Sequence, residues 1–136
     1  MTEAEITAVH EAGHVTANLL LGLRFDKVTL TPPQVWFGRH VHKGRHLALR
    51  RAVCHLAGPA AVMMVTGNGD GVATSDWQHA REVLADMANA PPIASVHAAA
   101  MRLLAQHRCV LTGVAAQLLA RGDLSYVAVL GIARKT

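Results

Sequence analysis

The chain has 136 residues, of which 51% are hydrophobic and 16% are charged, and its formal net charge at pH 7 is +4. This length suits one domain, and the apolar content excludes a disordered chain. Aromatic residues are few, which disfavours a sandwich or barrel of aromatic-rich strands. We therefore expect a single domain over residues 1–136 that is mainly α, in the α+β class, with a small β-hairpin or short sheet.

The first half of the chain predicts two helices and two short strands. Thr2 and Glu5 have the spacing of a capping box, and apolar residues then recur at helical spacing, which predicts a helix over 3–21. Two strands are expected over 25–31 and 34–41, on either side of Pro32-Pro33. A second helix is predicted over 47–66, with a kink or restart at Gly58-Pro59.

The second half predicts helices alone. A glycine-rich loop over 67–71 precedes a third helix, which follows Thr74 or Ser75 and ends by Pro91-Pro92. Apolar residues spaced three and four apart from Val96 to Leu119 predict one long amphipathic helix. Gly122 closes that helix, and Asp123 is predicted to cap a short final one.

The segment His10-Glu11-Ala12-Gly13-His14 lies within the first predicted helix. Histidines four residues apart project from one helix face and can bind a single metal ion, with Glu11 on the neighbouring edge. In such a site zinc activates a bound water molecule and the glutamate takes its proton, which is the chemistry of a metallopeptidase. The motif predicts zinc ligation by His10 and His14, with Glu11 as the catalytic base.

A catalytic zinc ion needs a third protein ligand and an open position. Asp76 is the best placed of the few downstream carboxylates, because it begins a helix directly after the glycine-rich loop. An ordinary helix N-terminal charge is the alternative role for Asp76. His79, one turn further on, is a weaker competing ligand.

Three segments occur in the order and spacing of the peptidase domain of the FtsH family of membrane-bound, ATP-dependent zinc proteases. They are His10-Glu11-Ala12-Gly13-His14, Leu56-Ala57-Gly58-x-Ala60-Ala61 and Ala73-Thr74-Ser75-Asp76-Trp77-x-x-Ala80. The chain resembles that domain over nearly its whole length. The resemblance implies a zincin-like helical peptidase fold, His10, His14 and Asp76 as the zinc ligands, and Glu11 as the catalytic base.

The resemblance also implies that the strand near 35–41 rims the active-site cleft, where an extended substrate could pair with its backbone. The expected substrate-binding residues are Val35, Trp36, Phe37 and Gly38. For Trp36 and Phe37, ordinary packing under a loop is an equal alternative.

The chain departs from the family at two positions and in its organisation. Pro59 and Val62 stand where family members usually carry Arg and Glu, and no ATPase module or membrane segment precedes the motif in this sequence. We therefore expect an ATP-independent zinc metallopeptidase acting on peptides or unfolded protein. The alternative is a non-catalytic zinc-containing binding or regulatory module. A homo-oligomer and a separate ATPase partner both remain open.

Charge, hydropathy and cysteine content indicate which partners and which compartment to expect. The basic segment 39–51 is expected to be a solvated loop leading into a helix, so nucleic acid is a minor hypothesis. The uncharged stretch 52–69 is expected to be a buried helix and not a membrane span. With only Cys54 and Cys109 and no signal-peptide pattern, the expected compartment is the cytoplasm.

Overall fold

The structure, a computed structural model, describes residues 1–69 and 74–136. Helices dominate these residues, and three short strands form a small antiparallel sheet, which confirms the expected fold class. In chain order the elements are α1 (Glu3–Leu20), β1 (Lys27–Leu30), β2 (Pro33–Trp36), α2 (Leu47–Thr66), α3 (Thr74–Ala85), α4 (Ile93–Gln106), α5 (Arg108–Arg121), β3 (Asp123–Ser125) and α6 (Tyr126–Arg134).

The helix α1 is the central element of the fold. It begins with the predicted capping box, in which the Thr2 hydroxyl accepts from the Glu5 backbone N–H and the Glu5 carboxylate accepts from the Thr2 N–H. From Ala8 to Asn18 nearly every residue is buried, because α2, α5 and the sheet pack around this helix. Such all-round burial is typical of a helix inside the core.

Small residues allow α1 and α2 to approach closely. A Cβ atom added to Gly13 would lie 2.7 Å from the Cβ of Ala61 and would also collide with the Ala57 carbonyl oxygen. The helix α2 continues from Leu47 to Thr66 with Pro59 inside it, so the restart that was one of the predicted outcomes at Pro59 does not occur. It ends at Gly67, whose φ of 76° lies in the left-handed region. The predicted loop extends beyond this point into residues 70 and 71, which lie outside the described residues.

The prediction of one long helix from Val96 to Leu119 is wrong. The chain breaks at His107, where φ is −126° and ψ is 36°, and the two halves pack on different partners. The helix α4 packs mainly on α2, whereas α5 packs mainly on α1. Tertiary packing therefore turns the chain at a position that no glycine or proline marks.

The sheet has the strand order β2-β1-β3, and both strand pairs are antiparallel. The strand β3 was not predicted, and because Asp123 begins it, the prediction of Asp123 as a helix cap is wrong. Instead the Ser125 hydroxyl accepts from the Ala128 N–H and caps α6. Phe25, which precedes β1, and the sheet residues Val28 and Leu124 are buried, and β1 and β2 pack against α1.

In the described part of the chain, no helix combines the length and apolar character needed to cross a membrane.

Candidate metal centre

His10 and His14 lie one turn apart on the buried face of α1, and their side chains meet. Their Nε2 atoms are 3.0 Å apart, and the two rings are arranged edge to face with centroids 4.7 Å apart. The helical spacing of four residues predicts this convergence, because residues i and i+4 lie above one another on a helix.

Asp76 joins the two histidines from the first turn of α3. Its Oδ2 atom lies 2.8 Å from His10 Nε2 and 3.3 Å from His14 Nε2. The three side chains are 11%, 12% and 16% exposed, in the order His10, His14 and Asp76, so the group is shielded yet still reaches solvent. The structure thus brings together all three side chains that were predicted as ligands.

The orientation of His14 is set from its other ring nitrogen. His14 Nδ1 donates a hydrogen bond to the Cys54 carbonyl oxygen of α2 at 2.8 Å, because a carbonyl can only accept. Because Nδ1 carries this proton, Nε2 is the ring nitrogen that is available to a metal ion. A backbone carbonyl that holds a ligating imidazole in this way is a common supporting contact in zinc sites.

Charge is concentrated in this small volume. Burial lowers the pKa of His14, but the hydrogen bond to Asp76 and the charges of Asp76 and Glu11 outweigh it and raise that pKa to about 9. Burial raises the pKa of Asp76, but its hydrogen bonds with His10 and His14 outweigh this and hold the pKa well below its usual range. The centre therefore pairs an ionised carboxylate with positive charge.

Gly58 of α2 lies directly against the two imidazoles. A Cβ atom at this position would be 2.5 Å from His14 Nε2 and 2.8 Å from His10 Nε2. Only a glycine leaves room there for both ligand nitrogens, since no real Cβ contact is that short. Gly58 was expected only at a kink and in the second of the three segments that resemble the FtsH domain. A role beside the imidazoles was not predicted, because nothing local indicates which helix faces this glycine.

Glu11 is 5% exposed and belongs to the same group. One carboxylate oxygen of Glu11 and one ring nitrogen each of His10 and His14 all lie within 4.8 Å of one another, so these three residues could hold a metal ion. The arrangement places a buried carboxylate next to two imidazoles that are already oriented.

The centre opens into a cleft with a volume of about 660 Å³. Glu11, His14 and Asp76 line it on one side, and residues of β2 and the loop after it line another. Of the residues expected to bind substrate, Val35 and Phe37 line this cleft.

Trp36 and Gly38 are not among the residues that line the cleft. The Trp36 indole N–H donates to the Thr29 hydroxyl at 3.0 Å, and the Lys27 ammonium lies over its ring. Gly38 has a φ of 61° and sits against the Asp26 carboxylate, so it shapes the turn after β2.

Two further histidines line the same cleft, His55 of α2 and His79 of α3. Burial, together with the charges of His14 and His79, lowers the pKa of His55 to about 4, so its imidazole is neutral at pH 7. His79 was expected as a competing ligand, whereas His55 was not expected at the site. His55 lies about one turn before Gly58 in α2, and this helical spacing was the available signal.

No protein-family model matches the chain, and a comparison with curated proteins also finds no match.

Proposed function

We propose that the chain is a zinc metallopeptidase that hydrolyses peptide bonds in peptides or unfolded protein. The observation that carries this proposal is the convergence of His10, His14 and Asp76, whose ligand atoms lie 2.8–3.3 Å apart. The similarity of the three motif segments to the FtsH peptidase domain supports the same conclusion.

The donor set suits zinc in both chemistry and spacing. Two imidazoles and one carboxylate are typical ligands of catalytic zinc, and a tetrahedral ion with bonds of about 2.0–2.1 Å needs donor atoms about 3.3 Å apart. The observed triangle needs to open by at most about 0.5 Å to meet that value. Three protein ligands leave a fourth position for water or substrate, as catalytic sites require.

When bound, zinc supplies a water molecule with a pKa of about 7 and polarises the scissile carbonyl. The residues of the chain then provide the rest of the reaction. The Glu11 carboxylate takes the proton of the attacking water and delivers it to the leaving amine. The Cys54 carbonyl keeps His14 in the tautomer that binds metal through Nε2.

The cleft suits an extended chain better than a compact ligand. Among the described residues, β2 is an edge strand that pairs with β1, and its residues Gln34 and Val35 line the cleft. A substrate backbone added along the other edge of β2 would lie as an extra strand, with a side chain against Phe37. This mode recognises backbone more than sequence, which fits unfolded protein as substrate.

The test compares three proteins loaded with one equivalent of zinc on an unfolded, fluorescently labelled substrate. Wild type is expected to cleave this substrate, and wild type treated with a metal chelator is expected to lose that activity. Glu11→Gln is expected to bind zinc normally but to cleave about 10²- to 10⁴-fold more slowly, because it lacks the general base. Glu3→Gln, an exposed change in the same helix, is the matched control and should behave as wild type.

The alternative is a zinc-containing module that binds a partner without hydrolysis. The buried apolar residues Pro59 and Val62 favour it, because they replace the charged residues usual in the family that the chain resembles. Loaded wild type that cleaves no unfolded substrate, with Glu11→Gln equal to it in every assay, would support this alternative and exclude the peptidase.

A further inference from the structure

Asp76 belongs to a second group of metal-ligating side chains, together with His55 of α2 and His79 of α3. One ligand atom of each of these residues lies within 4.8 Å of the others. The imidazole rings of His55 and His79 are tilted by 46° to each other, with centroids 5.3 Å apart. The proposed peptide hydrolysis uses neither histidine.

We propose that His55, Asp76 and His79 form a second site for a divalent transition-metal ion, beside the first and sharing the Asp76 carboxylate. The Asp76 atom that lies 2.8 Å from His10 Nε2 and 3.3 Å from His14 Nε2 is Oδ2. A carboxylate has two oxygen atoms and can therefore serve two ions, and proteins with paired metal sites hold the ions about 3.5–4 Å apart.

The donor types set the class of ion. Two imidazoles and one carboxylate favour zinc, copper, nickel or cobalt over magnesium and calcium, which prefer all-oxygen ligands. His79 of this group is exposed, whereas the side chains of His10 and His14 are only 11% and 12% exposed. The second site must therefore compete with water, and we expect it to bind its ion more weakly than the first.

Two carboxylates lie beside the outer side of this group, and the charge of Arg51 also acts on His55. His55 and His79 also line a smaller cavity of about 280 Å³, whose lining includes the carboxylates of Glu82 and Asp86. His79 and Glu82 lie about one turn apart on α3, and Asp86 follows the last residue of that helix. These carboxylates favour entry of a cation from solvent toward the two imidazoles.

Equilibrium dialysis of the full chain against zinc, with the bound metal counted by mass spectrometry, tests the proposal. Wild type is expected to bind two ions, the second more weakly. His55→Leu/His79→Ala should bind only the tight ion, and His10→Leu/His14→Leu only the weak one. His107→Gln is the control, because its imidazole belongs to neither group, and it should bind two.

The proposal is overturned if the wild-type protein saturates at one bound ion. It is also overturned if His55→Leu/His79→Ala still binds a second ion. Circular dichroism checks the fold of each variant. If the double variant does not fold, His79→Ala alone changes an exposed side chain and must weaken the second ion by about tenfold or more. The proposed function fails separately, when His10→Leu/His14→Leu keeps the tight ion.

Discussion

Replacing Gly58 with alanine is expected to remove tight metal binding while leaving the fold intact. The added Cβ would lie 2.5 Å from His14 Nε2 and 2.8 Å from His10 Nε2, whereas ordinary contact begins at 3.4 Å. The imidazoles would therefore have to retreat by about 0.9 Å and about 0.6 Å, respectively, to reach ordinary contact. Metal–ligand bonds tolerate only about 0.2 Å.

The size of the effect follows from that mismatch. Loss of a residue that merely orients a ligand costs about 10- to 100-fold in metal affinity, and here both ligands are displaced. We therefore expect Gly58→Ala to weaken zinc binding by at least about 100-fold. The free energy of unfolding should change less than the free energy of zinc binding. Alanine is more favourable than glycine in a helix interior by about 1 kcal/mol, and this gain offsets part of the cost of crowding the imidazoles.

Competition with a chromogenic zinc chelator measures the affinity, and thermal unfolding without metal measures stability. Gly131→Ala is the matched control, since it lies inside α6 with no atom within 4 Å of the new Cβ. It should gain about 1 kcal/mol of stability and keep wild-type zinc affinity. Wild-type zinc affinity in Gly58→Ala would refute the idea that Gly58 makes room for the ligands.

Three smaller predictions concern single residues. Asp76→Asn replaces a charged ligand with a neutral amide and should weaken zinc binding by at least about tenfold in the same chelator assay, whereas Asp123→Ala should not. In native protein at pH 8, iodoacetamide should label exposed Cys109 but not buried Cys54, because burial raises the pKa of the Cys54 thiol to about 12. In unfolded protein both cysteines should be labelled. Mass spectrometry measures the labelling in both cases. Ser125→Ala should cost about 1 kcal/mol in denaturant unfolding through loss of the α6 cap. Asp123→Ala should stay within about 0.5 kcal/mol of wild type, and a larger loss for Asp123→Ala than for Ser125→Ala would contradict the cap assignment.

The sequence predicted most reliably what neighbouring residues determine. The capping box at Thr2 and the spacing of His10 and His14 are local patterns, so the bounds of α1 and the meeting of the two imidazoles followed from them. The position of Asp76 beside them is a tertiary contact, and its selection over His79 came from the resemblance to a family.

The sequence failed where packing between distant elements decides the conformation. No local sequence signal marks the break at His107. The break arises because α4 packs on α2 whereas α5 packs on α1. The pairing of β3 with β1 made Asp123 a strand residue and moved the cap to Ser125. The importance of Gly58 likewise depends on which face of α2 meets α1.

The position of Asp76 on α3 has a consequence for how the fold opens. This helix packs chiefly on α2 and has only two buried residues, Ala80 and Leu84. Asp76 is separated from His14 by 62 positions, so an ion shared between them would act as a cross-link that closes a long loop. Chelation is then expected to release α3 as a separate unit, with faster amide exchange there than in α1.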